Sequence, residues 1–275
     1  MNKMIMNRLT MLAVTLMASM ACFAQGKLAT SIPGGLGKDA EFDYMELKYK
    51  IIDAESSYEV KVIGFADAFK ADPSKFDTAE EGVEIHHHNE VFIPHYIGQD
   101  DKVAVNVYVS SVADGALNTT DSELANKVTA LEIDYQDNIK TQGIPMTIGE
   151  NAFAGLTSVA TVKSLSPTPP TCPAGAFASS VKTLIVPEGS KVMGLYAKPN
   201  SGAWRKISTI KNTAGLQFGD VDQNKRLTGQ DVSKLNQVLA KTATQNDACD
   251  TDGNGRLTGQ DVSVLNQEIA KQYRK

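Results

Sequence analysis

Apolar and polar positions alternate over the first third of the chain. Met45, Leu47, Tyr49 and Ile51 are separated by Glu46, Lys48 and Lys50. After the polar break Asp53-Ala54-Glu55-Ser56-Ser57, Tyr58, Val60 and Val62 are separated by Glu59 and Lys61. Successive side chains on a strand point to opposite faces, so period two around a polar break predicts a β-hairpin with one buried face. VFIP (91–94) and KVAVNVYV (102–109) predict further strands. Near the other end the period changes. Val232, Leu235, Val238 and Leu239, and then Val262, Leu265 and Ile269, recur at the spacing that lines one side of an α-helix.

Between these regions the pattern echoes itself. ENAFAGLTSVATV (Glu150–Val162) returns as AGAFASSVKTLIV (Ala174–Val186), and ADGALNT near Ala116 followed by VTALEI (128–133) is a more degenerate copy. Each copy is a small-aromatic-small step followed by a short strand. A period in the twenties predicts stacked units that bury a face only against their neighbours. With VPEGS (186–190) and the closing LYAKPNSGAWRKI, the stretch from about Phe42 to Ile210 resembles the BspA-like leucine-rich-repeat proteins of bacterial surfaces, best after Thr147. The segment SPTPPTCPAG departs from that family's regular consensus.

The most specific signal is a second, closer repeat. RLTGQDVSKLNQ (Arg226–Gln237) returns as RLTGQDVSVLNQ (Arg256–Gln267). Extended backward, the two become DVDQNKRLTGQD (Asp220–Asp231) and DTDGNGRLTGQD (Asp250–Asp261). Oxygen side chains at the first, third, fifth, ninth and twelfth places of such a loop, with a backbone carbonyl at the seventh, can converge on one hard cation. The candidate ligands are Asp220, Asp222, Asn224, Arg226 (by its carbonyl), Thr228 and Asp231. Thirty residues on they are Asp250, Asp252, Asn254, Arg256 (by its carbonyl), Thr258 and Asp261.

An EF-hand needs a helix entering the loop as well as one leaving it. ISTIKNTAGLQFG before Asp220 is a poor helix former, and only a short polar stretch precedes Asp250. Loop-then-helix in duplicate resembles a type I-like dockerin over Gly219 to about Tyr273. That resemblance implies two Ca2+ ions and docking to a cohesin-type protein module. Aligning Gly219–Lys241 with Cys249–Lys271 leaves sixteen of twenty-three places identical. Gly229, Gln230, Asn236, Gln237 and Lys241 match Gly259, Gln260, Asn266, Gln267 and Lys271, although neither metal nor core requires them. In dockerins the matching places contact the cohesin, so these ten are candidate partner-binding residues, and two copies of one surface would let a partner dock in either orientation.

The rest of the chain sets the context. Lys3 and Arg8, an apolar run from Leu9 to about Ala21, and small residues ending at Ala24 have the form of a secretory signal peptide cleaved before Gln25. Cys22 has the outline of a lipidation site, but Ser19 stands where a large aliphatic is expected. A net charge of −5 with scattered basic residues gives nucleic-acid binding no support. Cys172 and Cys249 are permitted to pair outside the cell, and equally permitted to remain thiols. His86-His87-His88 with His95 lacks a completing Cys or acid for a metal site. Asp134 with Asp137, or Glu80 with Glu81, do not amount to a catalytic pair, and Trp204 reads as core.

These readings give a multidomain expectation: a β-rich leucine-rich-repeat-like solenoid with an N-terminal β region, plus a small all-α calcium-binding dockerin domain. The boundaries are 1–24 signal peptide, 25–115 N-terminal β-rich region, 116–212 repeat region, 213–218 linker and 219–275 dockerin. The functional expectation is a secreted or cell-surface, non-catalytic binding protein. Its dockerin would engage a cohesin while the repeat region recognises a host protein or a polysaccharide. The alternatives are an accessory enzyme of polysaccharide breakdown, or a calcium module serving only as a structural cap.

Overall fold

The computed structural model describes residues 37–44, 46–55, 58–71, 89–97, 107–135, 145–198 and 200–273. The expected signal peptide with Cys22, the acids Glu80, Glu81 and Asp137, the run His86–His88 and residues 102–106 of one expected strand lie outside the described residues.

In chain order the first elements are β1 (Glu41–Tyr44), β2 (Leu47–Asp53), β3 (Glu59–Phe65), α1 (Asp67–Ala71), β4 (Glu90–Ile93), β5 (Tyr96–Ile97) and β6 (Val107–Val112). Then follow α2 (Ser122–Lys127), β7 (Ala130–Ile133), β8 (Thr147–Ile148), β9 (Thr161–Ser164) and β10 (Thr183–Val186). The last are α3 (Val192–Ala197), a 3-10 turn (Gly202–Lys206), β11 (Thr209–Asn212), α4 (Gly229–Leu239) and α5 (Gly259–Gln272).

The predicted hairpin is β2–β3, antiparallel, with Ile51 opposite Val60 and Tyr49 opposite Val62. Leu47, Tyr49, Ile51, Val60 and Val62 are all buried, as the alternation requires. β1 adds antiparallel to β2 and β6 adds parallel to β3. The far edge of β6 is shared by β5, antiparallel, and β8, parallel. The second sheet runs β11-β10-β9-β7-β4, and every pair in it is parallel. Val91, Leu131, Val162, Leu184 and Ile210 stand side by side across this sheet in one buried row.

Two inward positions of the second sheet are polar, and each is satisfied. Ser164 Oγ lies 2.7 Å from Tyr196 Oη, which donates to the Ser166 carbonyl at 2.9 Å. Asn212 Oδ1 accepts from Leu216 N at 2.8 Å, and its Nδ2 donates to Asp247 at 3.3 Å. Phe153 and Phe177, matched by the repeat, bridge in parallel and stack at 5.4 Å. Phe177 meets the fully buried Trp204, whose indole N–H donates to the Pro170 carbonyl at 2.8 Å.

This architecture overturns the expectation of a β-rich leucine-rich-repeat-like solenoid followed by an all-α domain. The chain is a mixed α/β fold with two sheets, most of whose strand pairs are parallel, and five short helices among the described residues. The physical reason lies in the connections. Parallel neighbours need long crossovers, and helices or helical turns fill several of them: α2 precedes β7, and α3 with the 3-10 turn separates β10 from β11. The regular copies Glu150–Val162 and Ala174–Val186 supply only β9 and β10, and the first sheet mixes antiparallel with parallel pairs.

The helical end is not a separate layer either. α4 and α5 pack on one another, and their Leu235, Val238 and Leu265 belong to the same buried cluster as the sheets. The expected linker, 213–218, turns back onto β11. Asn212 N donates to the Leu216 carbonyl at 2.9 Å, Phe218 N donates to the Ile210 carbonyl at 2.8 Å, and Lys211 pairs with Gln217 in an antiparallel bridge.

Candidate metal centres

Each duplicated loop is wound by its own acids. Asp220 accepts from the backbone N–H of Asn224 (3.0 Å) and Lys225 (2.8 Å), and Asp250 accepts from those of Asn254 (3.2 Å) and Gly255 (2.8 Å). Asn224 Oδ1 accepts from Arg226 N at 2.8 Å, and Asn254 Oδ1 from Arg256 N at 2.7 Å. The last acid works in two directions. Asp231 Oδ2 takes Thr228 N at 2.8 Å, closing a capping box at the start of α4, while Oδ1 takes Asp222 N at 3.2 Å. Asp261 does the same with Thr258 N (2.8 Å) and Asp252 N (3.2 Å) at the start of α5. Thr228 and Thr258 are the N-caps, each hydroxyl accepting from the N–H two residues on. One side chain thus fixes both the helix start and the loop that precedes it.

The result is a convergence of negative charge. Oxygens of Asp220, Asp222 and Asp231 lie within 4.8 Å of one another, and so do those of Asp250, Asp252 and Asp261. Four of these six acids are buried. Among the described residues no lysine or arginine pairs with any of them. Burial is the first cause that pushes Asp231 above the usual carboxylate range, with Asp222 and Asp220 adding repulsion. Asp250 is raised the same way, by burial and then by Asp261. Three carboxylates gathered without a counter-charge, beside an amide and a hydroxyl, form an all-oxygen donor set that suits a hard divalent cation.

Of the expected ligands, the three acids of each loop are brought together. Asn224 and Asn254 lie beside them, with Nδ2 on Asp222 (2.8 Å) and on Asp252 (2.6 Å). Thr228 Oγ1 lies 3.5 Å from Asp231. Arg226 and Arg256 contribute backbone N–H groups to the loop frame, and their side chains are exposed.

All ten expected partner-binding residues are exposed: Gly229, Gln230, Asn236, Gln237 and Lys241 on one repeat, Gly259, Gln260, Asn266, Gln267 and Lys271 on the other. The two sets diverge most at their ends. Lys241 lies past the end of α4 with φ +59°, whereas Lys271 is inside the longer α5 and pairs with Glu268 at 2.6 Å. A shallow groove on the first repeat is lined by Asn224, Arg226, Thr228, Gly229, Gln230 and Ser233, all of which recur in the second.

The other sequence candidates separate cleanly. Among the described residues, the two aspartate clusters are the only groups of three or more metal-competent side chains. His95 is buried among the rings of Tyr96, Tyr108 and Tyr135 at 5.1–5.2 Å. Its backbone N–H points to Asp134 at 3.4 Å. Cys172 and Cys249 are buried, unbonded thiols, and burial pushes the first up to about 12. No helix of the described residues is long and apolar enough to cross a membrane.

Sequence reasoning missed the residues that reach the second repeat from the sheet region: Gly194 and Lys198 against the loop itself, Gly189 and Asn212 on Asp247 just before it, and Arg205 on Glu268 of α5. Their only trace in the sequence is that the second loop has glycine where the first has Gln223. No family model matches this chain, and no curated protein or solved structure matches it.

Proposed function

We propose that this is an exported, non-catalytic binding protein whose residues 219–275 bind two Ca2+ ions and dock a cohesin-type module. Asp220, Asp222, Asn224, Thr228 and Asp231, with the Arg226 carbonyl, hold one ion. Asp250, Asp252, Asn254, Thr258 and Asp261, with the Arg256 carbonyl, hold the other. Each ion supplies the positive charge that lets three acids share one loop. The observation that carries the reading is the pairing of two near-identical three-carboxylate frames with a duplicated, exposed set of non-ligand residues. The two-sheet body then presents a surface to a protein or glycan ligand.

The test is capture of the full chain on an array of immobilised cohesin modules, with calcium and with chelator. Capture that needs calcium, and is lost when Asp222→Ala and Asp252→Ala are combined, supports docking. A chain that binds calcium in both loops yet is captured by no cohesin would remove docking from the reading. One observation favours a second reading, the calcium module as a structural end piece: its buried leucines belong to the same core as the sheets. That reading predicts calcium-dependent stability of the body with no capture.

A further inference from the structure

The two loops share a backbone but not a neighbourhood. At the fourth place Gln223 and Gly253 both have φ +63°. The turn is therefore the same, and in the first loop it tolerates a glutamine side chain, which is exposed. Glycine in the second loop has a further cause besides its φ, and packing supplies it. A Cβ on Gly253 would lie 2.5 Å from Leu195 N and 2.7 Å from Gly194 C, both on α3. Reciprocally, a Cβ on Gly194 would strike the Asp250 carbonyl oxygen and lie 2.6 Å from Gly253 N. Two glycines face each other with no side chain between them, so the backbone of α3 rests on the first four residues of the second loop.

Polar contacts surround this seat. Lys198 Nζ donates to the Gly253 carbonyl at 3.4 Å. Asp247 accepts from Gly189 N at 2.8 Å and from Asn212 Nδ2 at 3.3 Å. Arg205 Nη2 donates to Glu268 at 2.9 Å, where the first repeat has Val238. Among the described residues, no hydrogen bond joins 220–241 to anything before 213.

We infer that Gly194 is a positioning residue for the second cation site, and that the second cation, unlike the first, is coupled to the packing of the sheet region. This rests on reading the loops as cation sites. Three uncompensated acids push a loop apart. α3 blocks that spreading at Asp250 and Gly253, on either side of the ligand Asp252, so the second loop is held near the geometry that the cation needs. Linkage makes the effect reciprocal: what α3 contributes to binding, the cation returns to α3.

Hydrogen exchange of the full chain, with Ca2+ as the only addition, tests this. Amides of 192–197 should gain protection as the second loop fills. Gly194→Ala should weaken the second site by about tenfold or more, leave the first unchanged and abolish the gain. Gly253→Gln, which imports the residue that the first loop carries at the same φ, should do likewise. Calcium filling both wild-type loops with no change in protection at 192–197 would overturn the coupling, and this measurement needs no variant to fold. Equal weakening of both sites by Gly194→Ala would overturn it as well. Calcium entering neither wild-type loop would overturn the cation reading itself, and the coupling with it.

Discussion

The first loop holds two non-glycine residues in left-handed backbone, Gln223 at φ +63° and Lys225 at φ +66°. The second loop has glycines there, Gly253 at φ +63° and Gly255 at φ +79°. A residue with a Cβ is disfavoured in this region by about 1 kcal/mol, so the first loop stores about 2 kcal/mol more strain when wound. That strain enters the binding constant only as far as the empty loop relaxes it, which makes about thirtyfold the ceiling on the resulting difference in affinity. The exposed Lys225 ammonium adds a repulsion that solvent and salt largely screen. The second loop should therefore fill first, and Lys225→Gly should tighten the first site by up to about fivefold. The assay is calcium titration of the full chain by calorimetry, with one loop silenced at a time by Asp222→Ala or Asp252→Ala. Filling of Asp220–Asp231 before Asp250–Asp261, or no gain from Lys225→Gly, would refute turn strain as the cause of the order.

Chelation should lower the helical circular dichroism of the full chain, because α4 and α5 both start on an acid of a candidate metal site; an unchanged spectrum in excess chelator would contradict that. If the two repeats offer equivalent docking faces, replacing Gln230, Asn236 and Gln237 alone by glutamate should leave cohesin affinity within several-fold, while the same changes in both repeats abolish it. Complete loss from one set would leave duplication without a functional reading. Glu46 is buried with Oε2 lacking a partner, and desolvation raises its carboxyl above the ordinary glutamate value. A raised folded value stabilises the fold below the unfolded value, and that contribution is lost as pH rises through the folded one. Glu46→Gln should therefore raise the melting temperature at pH 7 more than at pH 4, and the opposite ordering would show that Glu46 is not buried as described.

What the sequence made legible was local. Alternation at 47–62 located β2 and β3 because each strand has one buried and one wetter face. Two twelve-residue stretches alike at eleven places located both loops, and the spacing of Leu235 and Leu265 located the buried side of each exit helix. Pairing was less legible. Nothing in VFIP or KVAVNVYV says that β4 and β6 go to different sheets, because both present alternating buried positions whichever neighbour they take. Two regular copies and one degenerate copy suggest a repeat over the whole region, although α2 and α3 fill crossovers that a fixed period does not allow for. The contact of α3 with the second loop was beyond reach for another reason: a glycine opposite a glycine leaves no side-chain pattern to read.

The turn-back at 213–218 settles how the parallel sheet stops. A sheet assembled by repeated crossovers ends on a strand whose outer groups are as ready to pair as those inside it. Here two of the outward hydrogen-bonding groups of β11 are already used: Asn212 N by the Leu216 carbonyl, and the Ile210 carbonyl by Phe218 N. The chain terminates its own sheet with an antiparallel seal made from the residues that lead into the first loop. A protein cut after Asn212 would expose Ile210 and Asn212 as a template for the edge of another copy. Resistance to edge-to-edge polymerisation is therefore built into the same few residues that carry the chain toward its candidate metal loops.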